Sequence, residues 1–560
     1  MESIARPRNA GTDAAPMSRM SDAAGAGLPD LRTCEQARQS RDPRFDGLFF
    51  TAVTSTRIYC RPVCPAPTPK PGNIVYYASA ASAEAAGFRP CLRCRPELSP
   101  ADGSWRRGDA LVARALKLID AGALVEQPLG TLAQRLDIGE RQLRRVFVER
   151  LGATPTAVHA TRRLLFAKQL LTETALPITQ VALAAGYGSL RRFNTTFRDA
   201  YRMAPRDLRR QLDTVDDVAQ GVTLRLSYRP PYDFGAMLDF LRGRALPGVE
   251  SVGDDHYVRL IGNADTPGWL RVSAWPRAHA LRLELHGVES TQLLAVVARV
   301  RRMFDLDADP LAIASALEHD PRLSPLLQAR PGLRLPSGWD GFEIAVRAII
   351  GQQVSVAAAR TITARLASRF GCAVAMPAQP GLTHLFPTPT VLTEADLDGL
   401  GLTGARAQTL RTVAQAVLDG RVDLNPEHTL DDFVRRWTAL PGIGAWTANY
   451  LALRALGHPD AFPADDLVLQ RAVPADGSRL SAKALATRAD EWRPWRGYAV
   501  IHLWRDTMTQ ARAPAVAAPA AGMASDAAPP RRRVRAAAEQ VQPSRREKAA
   551  TRSHRRSSSS

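Results

Sequence analysis

The clearest periodic signal in this 560-residue chain lies between residues 109 and 210. Apolar residues recur there three or four apart: Leu132 and Ala133, Leu136 and Ile138, then Leu143, Val146 and Phe147. With Gly139 between the runs, the pattern predicts two short helices joined by a tight turn. A weak copy follows about 50 residues on, through Val181-Ala182, Gly186-Tyr187-Gly188-Ser189, Phe193 and Phe197. The apolar stripe of each second helix would pack inward. That leaves a polar face with Arg141, Arg144 and Arg145 in the first copy, and Arg191, Arg192, Asn194 and Arg198 in the second. Beyond residue 222 the period changes to two, as in Leu281-Arg282-Leu283-Glu284-Leu285, which predicts strands. Mostly helical patterning fills 309–510. Residues 1–30 and 511–560 have little to bury and are expected to be disordered.

Charge narrows the partners. Lysine and arginine number 74 against 55 acidic residues, a formal +19, which points to a polyanion: nucleic acid first, an anionic membrane surface second. Residues 531–560 hold ten Lys/Arg and two Glu, so the tail is either a phosphate attractor or merely solvated. No apolar run long enough for a membrane span and no signal-peptide core occur, so no membrane partner is expected, and a cytoplasmic, nucleoid-associated protein is.

Four of the six cysteines, Cys60, Cys64, Cys91 and Cys94, follow the spacing C-x3-C-x26-C-x2-C. Two close pairs separated by a loop suit a tetrahedral site for one Zn2+. A zinc that only staples a small domain is the plain reading. Arg61, Arg89 and Arg93 lie beside the ligands, and guanidinium groups suit phosphate. The run Asp42-Pro43-Arg44-Phe45-Asp46-Gly47, the stretch Ile58-Tyr59-Cys60-Arg61-Pro62 and Gly87-Phe88-Arg89-Pro90-Cys91 closely resemble the N-terminal domain of the bacterial Ada alkylation-response protein. The resemblance implies a small α+β zinc domain over 31–100 in which Cys60 irreversibly accepts a methyl group from a DNA methyl phosphotriester. Arg61 and Arg89 would then contact DNA. The chain departs from the family at Pro65-Ala66-Pro67, where the pattern has arginines. Cys34 and Cys372 fit neither spacing and read as ordinary thiols.

Across 131–210 there are 15 basic and 6 acidic residues, which weakens the reading of each arginine-rich helix as a merely solvated face. Pro177-Ile178 before the second unit and Met203-Ala204-Pro205 after it resemble the AraC-type DNA-binding domain. That implies an all-α double helix-turn-helix over 109–210, with Arg141, Arg144, Arg145, Arg191, Arg192, Asn194 and Arg198 reading promoter DNA, and RNA polymerase as a partner.

The last motif is Leu440-Pro441-Gly442-Ile443-Gly444-Ala445-Trp446-Thr447-Ala448-Asn449-Tyr450, with Asp465-Asp466 downstream. Glycines between two helices let backbone N–H groups approach a phosphate. A surface acidic pair capping a helix is the ordinary reading of Asp465-Asp466. Hairpin, spacer and aspartate together resemble the helix-hairpin-helix glycosylase superfamily, and about 290 residues resemble AlkA-type 3-methyladenine DNA glycosylases. The resemblance implies an α+β (TBP-like) domain over 222–308 and an all-α helix-hairpin-helix domain over 309–510. It makes Asp466 the catalytic carboxylate, Phe240, Trp446, Tyr450 and Trp504 the base pocket, and Gly442 and Gly444 DNA contacts. Gln353 stands where the family has an apolar wedge, and Leu467 where it has a tyrosine. A monovalent cation on the carbonyls of Thr438, Leu440 and Ile443 is implied too. Trp446 occupies the position of the lysine that bifunctional members carry, so the enzyme should be monofunctional and leave abasic sites.

The expectation is a multidomain protein of the response to DNA alkylation. It would be a zinc-thiolate methyl acceptor, an AraC-type activator and a monofunctional glycosylase that excises alkylated purines from double-stranded DNA. Two rivals remain: a transcription factor with an inactive glycosylase half, and a glycosylase with a purely structural zinc module.

Overall fold

The structure, a computed structural model, describes residues 27–100, 110–125, 127–210, 221–376, 378–424, 427–474 and 478–512. The basic tail and nearly all of the N-terminal segment expected to be disordered lie outside these residues.

β-Branched and aromatic residues in the first domain form a four-stranded sheet, β1 (Phe50–Val53), β2 (Ile58–Cys60), β3 (Ile74–Tyr77) and β4 (Arg89–Pro90), in the order β3-β1-β2-β4. Its last pairing is parallel, with Tyr59 opposite Pro90. Cys60 at the end of β2 and Cys91 just past β4 are thereby neighbours. Tyr59, Phe50, Tyr77 and Phe88 fill the small core beneath, with Phe50 and Tyr59 edge to face at 5.7 Å.

In the next domain the helices Leu129–Arg135 and Glu140–Leu151 form one helix-turn-helix, and Ile178–Ala184 and Leu190–Tyr201 the other. The 19-residue helix Pro155–Glu173 joins them. Leu143, Phe147 and Leu151 recur at i, i+4, i+8 and are fully buried; Phe193, Phe197 and Tyr201 repeat the spacing.

β5 (Gly221–Ser227), β6 (Glu250–Val252), β7 (His256–Gly262), β8 (Pro267–Trp275) and β9 (Ala280–His286) form an antiparallel sheet ordered β5-β9-β8-β7-β6. Helices Phe234–Arg242 and Leu293–Met303 cover one face. The remaining helices share a core around Trp437, Leu451 and Leu503. Ile313 and Leu317, on helix Pro310–Leu317, belong to this second core.

The four parts are packed on one another rather than strung out. The second helix-turn-helix shares one core with the five-stranded sheet. Fully buried Arg229 donates from Nε to Asp46 O of the cysteine domain at 2.8 Å, and from a terminal nitrogen to Asp307 O at 2.8 Å. Arg135 pairs with Glu427. No helix among the described residues is long and apolar enough to cross a membrane.

Candidate active sites and DNA-facing helices

The parallel β2–β4 register puts the four cysteines around one point, all four Sγ atoms within 4.8 Å of one another. Cys91 and Cys94 are buried, whereas Cys60 and Cys64 lie at the rim. Arg61 N–H points at Cys94 Sγ at 3.4 Å. Four thiol sulfurs converging at this spacing, with a backbone donor turned toward one of them, fit a zinc ion and offer nothing to a hard, oxygen-seeking metal.

Around this cluster runs a second layer of buried polar contacts. Tyr59, next to Cys60, donates its hydroxyl to Glu84 at 2.9 Å, and Glu84 accepts Thr161 of the long helix. Burial pushes the Glu84 carboxyl up, against the two hydroxyl donors that hold it down. Lys168, on the same helix and 1 % exposed, reaches Cys91 O at 3.3 Å and Glu97 at 2.7 Å. The helix that joins the two helix-turn-helix units is therefore hydrogen-bonded to the residues that carry the cysteines.

The second candidate centre lies some 400 residues later in the chain. Asp466 caps helix Leu467–Ala472 and is 8 % exposed, while Asp465 faces solvent. Its Oδ1 accepts Val468 N at 2.9 Å, Leu469 N at 3.0 Å and Trp504 Nε1 at 3.4 Å. Among the described residues Oδ2 accepts only Trp446 Nε1, at 3.0 Å. Trp446 stacks on Tyr450 with ring centroids 5.1 Å apart and an 18° interplanar angle. Asp466 is thus a helix cap and an indole acceptor at once: two backbone N–H groups and the Trp504 indole hold Oδ1, and the Trp446 indole holds Oδ2.

The hairpin Pro441-Gly442-Ile443-Gly444 opens helix Ala445–Arg454, with Gly442 and Gly444 exposed. Gly442 has φ +86°, and a Cβ there would collide with Thr409 Oγ1. Gln353 is exposed at φ +55°, unusual for a side chain of this kind, at the tip of the turn after helix Gly341–Ile350. Gln352 ties that turn to the hairpin, donating from Nε2 to Gly442 O at 3.0 Å and Thr447 Oγ1 at 3.1 Å.

Comparison with known proteins agrees with this arrangement. Sequence models match in chain order: the metal binding domain of Ada (residues 33–97), a helix-turn-helix domain (132–211), the AlkA N-terminal domain (223–340) and the HhH-GPD superfamily of base excision DNA repair proteins (346–496). The probable bifunctional transcriptional activator/DNA repair enzyme AlkA of Mycobacterium tuberculosis (strain ATCC 25618 / H37Rv) is 39% identical over 483 residues, 85% of this chain and 96% of its own length. The chain belongs to the bifunctional transcriptional activator/DNA repair enzyme family. DNA-3-methyladenine glycosylase 2 of Escherichia coli (strain K12) is 36% identical over 282 residues, 50% of this chain and 95% of that protein. The bifunctional transcriptional activator/DNA repair enzyme Ada of Escherichia coli (strain K12) matches 126 residues at 39% identity, 22% of this chain and 33% of that protein.

This activator and repair enzyme unites methyl sensing, AraC-type activation and glycosylase activity; it acts on DNA and holds one zinc on Cys60, Cys64, Cys91 and Cys94. Among the arginines expected at DNA, Arg61 is turned inward. Its guanidinium is buried against Asp46 and Cys94 O, because an acid 15 residues upstream folds back onto it. Arg89 is half-buried and makes no ion pair among the described residues. Arg141, Arg144, Arg145, Arg191, Arg192 and Arg198 are exposed and Asn194 half-buried, on the faces opposite the buried aromatics. Arg144 and Arg145 have acid partners on their own helix, Glu140 and Glu149.

The aromatic pocket carries a feature that the sequence reading missed. Arg244 lies 3.8 Å and Arg454 4.5 Å from the ring centroid of Phe240, so its π cloud is already occupied by cations. Burial alone would push the Tyr450 hydroxyl up; Arg454 and Arg244 outweigh it and hold it below the usual phenol value. The pocket is thus not uniformly electron-rich. The i, i+4 spacing of Tyr450 and Arg454 on one helix was the available signal.

Proposed function

We propose that Cys60 is the methyl acceptor and Asp466 the glycosylase carboxylate. Zinc, when bound, keeps the four thiols ionised at neutral pH. Cys60 Sγ, at the rim, attacks the methyl carbon of a methyl phosphotriester. A C–S bond forms and the C–O bond breaks, its electron pair returning to the phosphate oxygen as the diester anion. No proton moves. The four-thiolate centre loses one negative charge, which reduces its repulsion of phosphates and favours DNA binding. The contacts from Tyr59 through Glu84 to Thr161, and from Cys91 O to Lys168, relay the change to the helix joining the DNA-reading units. Recruitment of RNA polymerase at a promoter follows from this activator role. Its place of action is the bacterial cytoplasm, on nucleoid DNA.

In the other half, a flipped alkylated purine of the 3-methyladenine type stacks between Trp446, Tyr450 and Trp504, with Phe240 bounding the pocket and Gln353 filling the gap left in the duplex. Gly442 and Gly444 let the hairpin backbone meet a phosphate, and the carbonyls of Thr438, Leu440 and Ile443 are the candidate holders of a monovalent cation there. Asp466 Oδ2 stabilises the oxocarbenium ion as the glycosidic bond breaks, and water attacks C1′. With Trp446 in the place of a Schiff-base lysine, the product is an abasic site.

The observation that carries the reading is the buried Asp466 held between two indoles and two backbone N–H groups. The test is release of 3-methyladenine from methylated duplex by an Asp466→Asn variant. A loss of at least about 10²-fold is expected, and unchanged release overturns the assignment.

A further inference from the structure

A chamber of about 1100 Å³ opens where regulator, sheet domain and glycosylase meet. It belongs to neither reaction centre described above. On its wall, Arg299 and Arg302 lie one turn apart on helix Leu293–Met303. Arg302 makes no hydrogen bond or ion pair with any described residue, and its Nε is buried without a partner. Among the described residues Arg299 makes only a cation–π contact, 4.9 Å from the Trp339 ring centroid. Ser337, 1 % exposed, turns a hydroxyl without a hydrogen-bond partner toward the same place.

Gly457, at φ +59°, fixes how these groups meet. A Cβ built on it would stand 2.8 Å from Ser337 Oγ and 3.7 Å from Arg302 Cγ. Lys117, on regulator helix Ala110–Asp120, reaches Leu456 O at 3.2 Å and Gly457 O at 3.5 Å. Two guanidinium groups, an ammonium group and a hydroxyl therefore approach one lip of the chamber from three parts of the fold. Among the carboxylates lining the chamber, Asp305 holds Tyr498 and Leu335 N, Asp307 holds Arg301, Asp120 holds Arg162, Glu97 holds Lys168 and Arg95, and Asp309 Oδ1 caps Ala312 N; Asp340 is the acid that acts on Arg299 and Arg302. Burial, with Arg302 nearby, pulls Lys117 down to about 8, and burial, with Arg299 nearby, pulls Arg302 to about 10. Asp340 offsets part of this for Arg299 and Arg302, and Asp305 and Asp307 for Lys117, yet burial outweighs them, a cost that a bound anion would relieve.

We propose that this lip binds a small phosphate-bearing molecule, with Arg299, Arg302, Lys117 and Ser337 as its donors. Several donors arriving from different directions suit a tetrahedral oxyanion with several free oxygens better than a flat carboxylate. A seam between packed domains excludes a DNA duplex, while the space beyond the lip accommodates a nucleoside attached to the phosphate. Bound there, the ligand bridges the regulator and the glycosylase and tightens their docking.

The test is calorimetric titration of the full-length, zinc-loaded protein with pyrophosphate and, separately, with ATP, without DNA or added divalent metal and at constant ionic strength. One saturable site per chain is expected, together with a rise in thermal midpoint. ATP tighter than pyrophosphate identifies a nucleotide as the source; equal affinities identify a free phosphate. Arg302→Gln should weaken binding about tenfold or more and Ser337→Ala about threefold, with base release unchanged in both. If Arg302→Gln does not fold, Arg299→Gln and Ser337→Ala carry the same comparison. Absence of saturable binding up to about 10 mM of either probe (far above metabolite-type affinities), or binding that these substitutions leave unchanged because the anions coat the basic surface, overturns the proposal.

Discussion

The cysteine cluster and the Asp466 pocket both set an anion in a partly buried site, yet they are built in opposite ways. Cys60 lies at the rim of its cluster, with hydrogen bonds from its neighbours leading away into the regulator. Asp466 is 8 % exposed and fixed by four donors within its own domain. A group that is consumed once needs exposure and a route by which its change of charge is felt elsewhere. A group that must turn over needs to return to the same place each time. In the proposed roles, exposure with outward wiring suits the reagent, and burial with inward wiring suits the catalyst.

The largest effects should come from removing each anion. Cys60→Ser should abolish methyl transfer and promoter activation while base release continues at the wild-type rate. Asp466→Asn should do the reverse, losing about 10²-fold or more in release with Cys60 methylation intact. Cross-effects in parallel assays of methyl transfer and base release would show that the two centres are not independent.

Breaking the relay comes next. Lys168→Met leaves Glu97 buried without its lysine, although Arg95 still pairs with it. A stability loss of about 3 kcal/mol is expected by denaturant titration. Promoter response should fall further than methyl transfer, and equal losses would deny Lys168 a relay role.

Acid separates the halves more gently. Burial pulls His458 down to about 3 and His159 and His502 to about 4. All three are neutral in the fold, whereas the unfolded chain protonates them below about 6.5. Their contribution is therefore present above that pH and lost as pH falls toward 4, by up to about 1.4 kcal/mol per pH unit for each. Unfolding titrations at pH 7.5 and 5.5 should show the loss, and His502→Gln should flatten the glycosylase share of it.

The smallest effect concerns the two DNA-reading helices. Arg144 and Arg145 have acid neighbours, whereas Arg191, Arg192 and Arg198 make no ion pair among the described residues. Arg192→Gln should reduce the salt slope of promoter binding by about one, and Arg144→Gln by less.

Local chemistry was legible in the sequence and long-range pairing was not. Cysteine spacing, the Gly442–Gly444 hairpin and the i, i+4 stripe through Phe193 and Phe197 are short-range patterns that define their own geometry. The Arg61 pairing was not legible, because an arginine beside a metal ligand reads the same whether it faces phosphate or Asp46. Arg229 on Asp46, Lys168 on Cys91 and Arg244 on Phe240 could not be seen, since each pairing depends on how the parts pack. Asp466 is singled out by its motif, but that it is both helix cap and indole partner required the fold.

The most direct measurement follows both products in one incubation of the protein with excess methylated duplex, by peptide mass mapping and by counting released bases. The account predicts one methyl group per chain, on Cys60, reaching a plateau while base release continues through many turnovers. An unmodified Cys60, a methyl group on Cys64 instead, or base release that stops with the methyl plateau would contradict it.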